Sequence, residues 1–188
     1  MKYWFTADYH INHANIIKYC NRPFSSVEEM NDTIIKNHND RVKPEDWVFF
    51  VGDFSFKNSK GGKEGEGLPI KAEEIIKKLN GRFIFIKGNH DRNNSLKTII
   101  ERLVIKYGKF RINLVHNPEF IDYTYPLNFV AHVHNHWKFR RYIKEEGGKT
   151  YTTDAINVGV DMNDFRPKTF EELYSDYKKW EKTQLKKL

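Results

Sequence analysis

Trp47-Val48-Phe49-Phe50-Val51-Gly52-Asp53 is the stretch that decides the fold. Five consecutive aromatic and β-branched residues suit a strand covered on both faces, as in a largely parallel sheet. Glycine then lets the chain turn sharply, and a carboxylate stands directly beyond it. The same order recurs on either side. Tyr3-Trp4-Phe5-Thr6-Ala7 runs into Asp8-Tyr9-His10, and Phe83-Ile84-Phe85-Ile86 leads to Gly88-Asn89-His90-Asp91. Ile112-Asn113-Leu114-Val115 ends at His116, and Leu127 to Ala131 ends at His132-Val133-His134. In open α/β sheets ligands gather beyond the carboxyl ends of the strands. Any strand can end in a polar turn; five ends with this chemistry point to one site.

Amphipathic stretches lie between the apolar runs, as an α/β layered domain requires. Val27 to Asn39 places Val27, Met30, Ile34 and Ile35 on one helical face, with Ser25-Ser26 as its cap. Ile70 to Leu79 is a second helix closed by Asn80-Gly81, and Leu96 to Leu103 has the spacing of a weaker third. Lys138 to Lys144 and Lys149 to Val158 form a hairpin around Glu145-Glu146-Gly147-Gly148. Asn157-Val158-Gly159-Val160-Asp161 ends a strand. Thr169 and Glu172 make a capping box for a closing helix whose Phe170, Leu173, Tyr174, Tyr177 and Trp180 share a face. Lys57 to Leu68, rich in glycine, lysine and glutamate, reads most simply as a flexible loop, with cover over a substrate as the alternative. Residues 1–188 form one domain, with no repeat and no dividing linker.

Composition narrows the class. Hydrophobic residues at 39% and charged residues at 30% of 188 describe a folding chain rather than a disordered one. No apolar run approaches the roughly 20 residues of a membrane span. The short run from Met1 to Thr6 lacks a signal-peptide core, so a cytoplasmic location is expected. Cys20 is the single cysteine, which leaves no intrachain disulfide and suits a small apolar filler. The net charge of +7 favours an anionic partner, a nucleotide or nucleic acid among them, although many of the lysines sit in the C-terminal tail.

Carboxylate and amide oxygens mixed with imidazole nitrogens, without thiolates, suit a divalent first-row cation. Asp8, His10, Asp53, Asn89, His116, His132 and His134 are seven such donors, about what two adjacent ions need. Asp8 and His10, two residues apart, project the same way in an extended segment and clamp one ion. His132 and His134 share that spacing and can also diverge to neighbouring ions. Asp53 is the natural bridge, since a carboxylate has two oxygens. Asn89 adds a neutral amide oxygen, which keeps the ions electrophilic.

The ordered series Asp-x-His, Gly-Asn-His-Asp and His-x-His, with Gly52-Asp53 and His116 between, resembles the calcineurin-like metallophosphoesterase superfamily, in its small single-domain bacterial and phage form. The resemblance implies an α/β two-sheet sandwich flanked by helices, in four layers, with metals between strand-end loops. It gives one ion Asp8, His10, Asp53 and His134, and the other Asp53, Asn89, His116 and His132. Manganese is the favoured cofactor, with iron, zinc, nickel and magnesium as alternatives. Two such ions would activate a hydroxide to cleave a phosphoester, phosphodiesters and nucleotides ahead of other substrates. His90 is the expected proton donor to the leaving alkoxide, and Asp91 is expected to orient this loop or His90 through a hydrogen bond. A phosphomonoesterase and a non-catalytic scaffold of the same fold are the alternatives. Three departures from the family pattern stand out: Ala131 before the paired histidines, Asn117 after His116, and no extra acid or arginine in Gly52 to Phe56. The last argues against a protein phosphatase.

Overall fold

Alternation along the strands builds the layers. The computed structural model describes residues 1–56, 70–92 and 95–185; the proposed loop at 57–68 lies outside the described residues. β1 (Tyr3–Thr6) pairs in parallel with β2 (Trp47–Val51), which pairs in parallel with β3 (Arg82–Ile86). β9 (Lys168–Thr169) closes the other edge antiparallel to β1. Phe5 and Phe49 stack at 5.3 Å on the inner face, and Phe129 of the opposite sheet meets Phe5 edge-on at 4.9 Å. Phe50, on the opposite side of the pleat, packs with Tyr9, Met30, Ile34 and Ile75 in a helical layer. That layer comprises α1 (Ala14–Tyr19), α2 (Val27–Asn39) and α3 (Ala72–Ile76), and Cys20 is buried in it.

The second sheet runs β4 (Arg102–Tyr107), β5 (Phe110–Val115), β6 (Leu127–Val130), β8 (Lys149–Asn157), β7 (Phe139–Glu146). β5, β6 and β8 are parallel to their neighbours within this group, and β4 and β7 are antiparallel edges. Ile112, Leu114, Phe129 and Ile156 face the first sheet, joined by Phe170, Leu173 and Tyr177 of α4 (Phe170–Leu185). Among the described residues no helix is long and apolar enough to cross a membrane.

Local signals explain most boundaries. Ser26 Oγ accepts the Glu29 N–H at 3.1 Å and starts α2. The Thr169 N–H donates to Glu172 at 2.8 Å, as the capping box requires. Gly147 and Gly148, with φ of 58° and 72°, give the two-residue turn that β7 and β8 need. One expected element is corrected: Leu96 to Leu103 is not a helix. Leu96, Ile99, Ile100 and Leu103 mimic helical spacing, but Thr98 Oγ1 donates to the Phe85 carbonyl at 2.6 Å and the Lys87 N–H donates to the Ile100 carbonyl at 2.7 Å. This stretch is tied to the end of β3, and β4 begins at Arg102. There Leu103, Ile105 and Tyr107 alternate with more exposed residues and pack on the core, as an antiparallel edge strand should.

His38 shows what burial does to a titratable group. Its ring is fully buried, stacks on Phe83 at 5.6 Å, and places Nε2 at 2.7 Å from the Asn80 carbonyl. Nε2 therefore carries the proton, and Nδ1 accepts the Tyr9 hydroxyl at 2.7 Å. Burial lowers its pKa to about 4 from 6.5, the Asn80 carbonyl opposing. Between those values the unfolded chain binds a proton that the folded one refuses, so stability is complete above pH 6.5, declines as pH falls from 6.5 to 4, and levels off below 4. The expected loss is about 3 kcal/mol. Denaturant titrations of wild type and His38→Gln across this range should show a flatter pH dependence in the variant; identical slopes would contradict it.

Candidate metal centre

β1, β2 and β3 of one sheet and β5 and β6 of the other deliver their carboxyl ends to the same cleft. Asp8 and His10 follow β1, Asp53 follows β2, Asn89 follows β3, His116 follows β5, and His132 and His134 follow β6. Five of these seven residues have left-handed backbones: Asp8 (φ 57°), His10 (50°), Asp53 (58°), His132 (71°) and His134 (45°). That conformation costs a non-glycine residue roughly 1–2 kcal/mol and persists only where its surroundings enforce it. Here they do. The Asp8 N–H donates to the Gly52 carbonyl at 3.0 Å, the His10 N–H to the Asp53 carbonyl at 3.1 Å, and the His132 N–H to Asp8 Oδ2 at 3.1 Å. Two glycines allow the loops to close up. A side chain at Gly52 would strike the His116 ring, and one at Gly88 would strike the Asp53 carboxylate.

Of four close donor groups among the described residues, two are made wholly of expected ligands. Asp8, His10 and His134 place their donor atoms within 4.8 Å of one another, and so do Asp53, His116 and His132. Asp53 Oδ2 lies 3.4 Å from His10 Nε2 and 3.3 Å from His116 Nε2, so one oxygen faces both groups. Asn89 Oδ1 is 3.1 Å from His116 Nε2. All seven expected donors are thus brought together. Asp8 Oδ1 and His10 Nε2 are buried, and among the described residues neither has a hydrogen-bond partner. They stand 4.0 Å apart. Two ligands each about 2.1 Å from one cation are separated by roughly 3–4 Å, so these orphaned atoms and their hard oxygen and imidazole chemistry fit a divalent ion.

The surrounding contacts fix which nitrogen faces the cleft. His116 Nδ1 is 2.8 Å from the Val51 carbonyl, which turns Nε2 toward Asp53. Asp91, expected to orient this loop or His90, receives the N–H groups of Asp53 (2.9 Å), Phe54 (3.1 Å) and Gly88 (2.8 Å). It ties the loop bearing Asp53 to the loop bearing Asn89. The His90 N–H donates to Asp53 Oδ1 at 2.9 Å, while its half-buried ring lies 5.0 Å from that of His10. His13 is buried and stacks on Phe56 at 4.1 Å, a packing role beside the site.

Sequence reading missed Asp161 and Arg22. Asp161 Oδ2 is 3.0 Å from His134 Nδ1, and Arg22 holds both Asp161 oxygens at 2.8 and 2.9 Å while donating to the Asp8 carbonyl at 2.7 Å. A carboxylate behind a ligating imidazole fixes its tautomer and raises its basicity. One signal was available: β8 is parallel to β6, so Asp161 follows a carboxyl end as the other site residues do. Asp161→Asn should weaken cation binding at the Asp8–His10–His134 group about tenfold to a hundredfold. Calorimetric titration with manganese would read this, and unchanged affinity would remove Asp161 from the site.

Charge in the cleft is balanced internally. Burial raises the Asp8 carboxyl to about 6, with His116 and His134 pulling the other way. Burial acts the same way on Asp53, but the hydrogen bond and charge of His116, with His10, hold it below the ordinary carboxylate range. His10 is pushed well below 6.5 by burial. His116, against burial, is lifted to about 9 by Asp53, and His134, likewise against burial, to about 10 by Asp161. The buried carboxylates thus hold positive charge in the cleft, which a bound cation would supply in place of protons.

The chain belongs to the calcineurin-like phosphoesterase family, whose profile matches residues 1–187. It is 40% identical over 169 residues to the uncharacterized protein MJ1445 of Methanocaldococcus jannaschii, covering 88% of this chain and 85% of that one. It is 33% identical over 104 residues to the Gene 66 protein of Mycobacterium phage L5, covering 55% and 46% of the two. The crystal structure of AQ665, a protein of unknown function from Aquifex aeolicus, shares the fold. Its TM-score is 0.63 at 23% identity, over 92% of this chain and 97% of that one. Family membership makes phosphoesters the substrate class and divalent metal ions the expected cofactor.

Proposed function

We propose that this protein is a binuclear, manganese-preferring phosphohydrolase that acts on phosphodiesters and nucleotides. The observation that carries this reading is Asp53 Oδ2, one carboxylate oxygen facing two donor groups at 3.4 and 3.3 Å. One ion would be held by Asp8, His10, Asp53 and His134, and the other by Asp53, Asn89, His116 and His132. When bound, such a pair lowers the pKa of water and neutralises charge on a phosphoryl group. The protein's own residues do the rest. Buried Asp8, His10 and Asp53 exclude bulk water from the inner wall, which strengthens every charge interaction there. Asn89 and His132 are exposed and form the open side through which a substrate enters. His90, anchored through its backbone to Asp53, would give a proton to the departing oxygen. Asp91 positions both loops rather than touching substrate.

The test is a hydrolysis screen in manganese, comparing bis-p-nitrophenyl phosphate, p-nitrophenyl phosphate, cyclic nucleotides and short DNA and RNA. Faster cleavage of diesters than of the monoester is expected. No hydrolysis with any divalent ion would reject the reading, and a clear monoester preference would reassign the substrate.

A further inference from the structure

Beside Asn89, His116 and His132 the cleft widens into a groove of about 490 Å³. That size lies within the roughly 300–1,000 Å³ of small-molecule sites, and a single phosphoryl group would not fill it. Its lining carries three cationic side chains, Lys87, Arg92 and Arg102, against one carboxylate, Glu101. Among the described residues Lys87 and Arg92 have no ion-pair partner, whereas Arg102 is committed: it donates to the Phe120 carbonyl at 2.6 Å and to Asp122 at 3.3 Å. Asn117 Oδ1 accepts the Glu119 N–H at 3.0 Å and opens the short helical turn Pro118–Phe120. These bonds hold the backbone of Phe120 in place, while its ring is 59% exposed at the wall of the groove. An exposed aromatic on a fixed turn, next to cations that have no ion-pair partner among the described residues, is a stacking platform beside a phosphate anchor.

We propose that this groove binds a nucleotide arm of the substrate, its base against Phe120 and a second phosphate between Lys87 and Arg92. The proposal rests on the phosphodiesterase reading and names its substrate class: a nucleotidyl phosphodiester carrying at least one further phosphate. A free dinucleotide and an oligonucleotide end both meet that description. Smaller diesters engage the donor cleft alone.

The experiment compares kcat/KM for bis-p-nitrophenyl phosphate, a dinucleotide and a short single-stranded DNA in wild type, Phe120→Ala, Phe120→Trp and Arg92→Gln. In Phe120→Ala the ratio of nucleotidyl to small-diester kcat/KM should fall roughly tenfold to a hundredfold, and Phe120→Trp should restore it. Arg92→Gln should reduce the slope of log affinity against log salt for a fluorescently labelled oligonucleotide by about 0.7. That binding arm is run by anisotropy on metal-stripped protein. Rates unequal for dinucleotide and oligonucleotide identify the source of the arm. If wild type cleaves the small diester but the ratio ignores all three substitutions, the groove is overturned and the hydrolase reading stands. If nothing is cleaved, the hydrolase reading fails and anisotropy decides the groove: weaker binding in Phe120→Ala supports it, and equal binding overturns it.

Discussion

Asp53→Asn is expected to abolish binding of both cations together and to lower turnover by at least about a thousandfold, roughly 4 kcal/mol of barrier. The reason lies in the two sides of the carboxylate. Oδ1 accepts the His90 N–H at 2.9 Å, so the amide of asparagine must turn its oxygen that way. Its NH₂ group then replaces Oδ2, between His10 Nε2 and His116 Nε2. A donor cannot ligate a cation, and both donor groups lose their shared atom in one step. The substitution is isosteric, so circular dichroism should report an intact fold while elemental analysis reports neither metal. Retention of one ion at full occupancy would refute the bridge.

His90→Ala should behave differently. Its contact with Asp53 is through the backbone, which alanine keeps, so metal content should be unchanged. What is lost is the imidazole beside His10, the candidate source of the leaving group's proton. Removing a general acid costs about 10²–10⁴ in rate when the leaving group is a basic alkoxide. Much less is lost when it is p-nitrophenolate, which departs without a proton. Rates measured over leaving groups of increasing pKa should diverge steadily between wild type and variant. Parallel lines would mean that His90 has only a structural part.

Periodic and local features were legible in the sequence. Phe49 and Phe50 announce a strand buried on both faces, and Gly147-Gly148 announces a hairpin. Polar donors just past apolar runs announce the cleft, since parallel strands carry their ends to one side. What escaped depends on contacts that leave no local trace. Arg22 and Asp161 are 139 residues apart and meet only in the folded chain. α1 is too short to show a periodic face. Leu96, Ile99, Ile100 and Leu103 imitate a helix because one spacing fits both a helical face and a strand approached through an irregular segment. Tertiary hydrogen bonds from Thr98 and Lys87 decide between them. Asp91 was recognised as part of the site, but its three backbone partners were not readable from its neighbours.

The most direct measurement is anomalous diffraction at the manganese edge from crystals grown with the metal. Two peaks are predicted, one against Asp8, His10 and His134 and one against Asn89, His116 and His132, with Asp53 Oδ2 between them. A single peak, or a pair to which Asp53 contributes nothing, would contradict the shared-carboxylate centre.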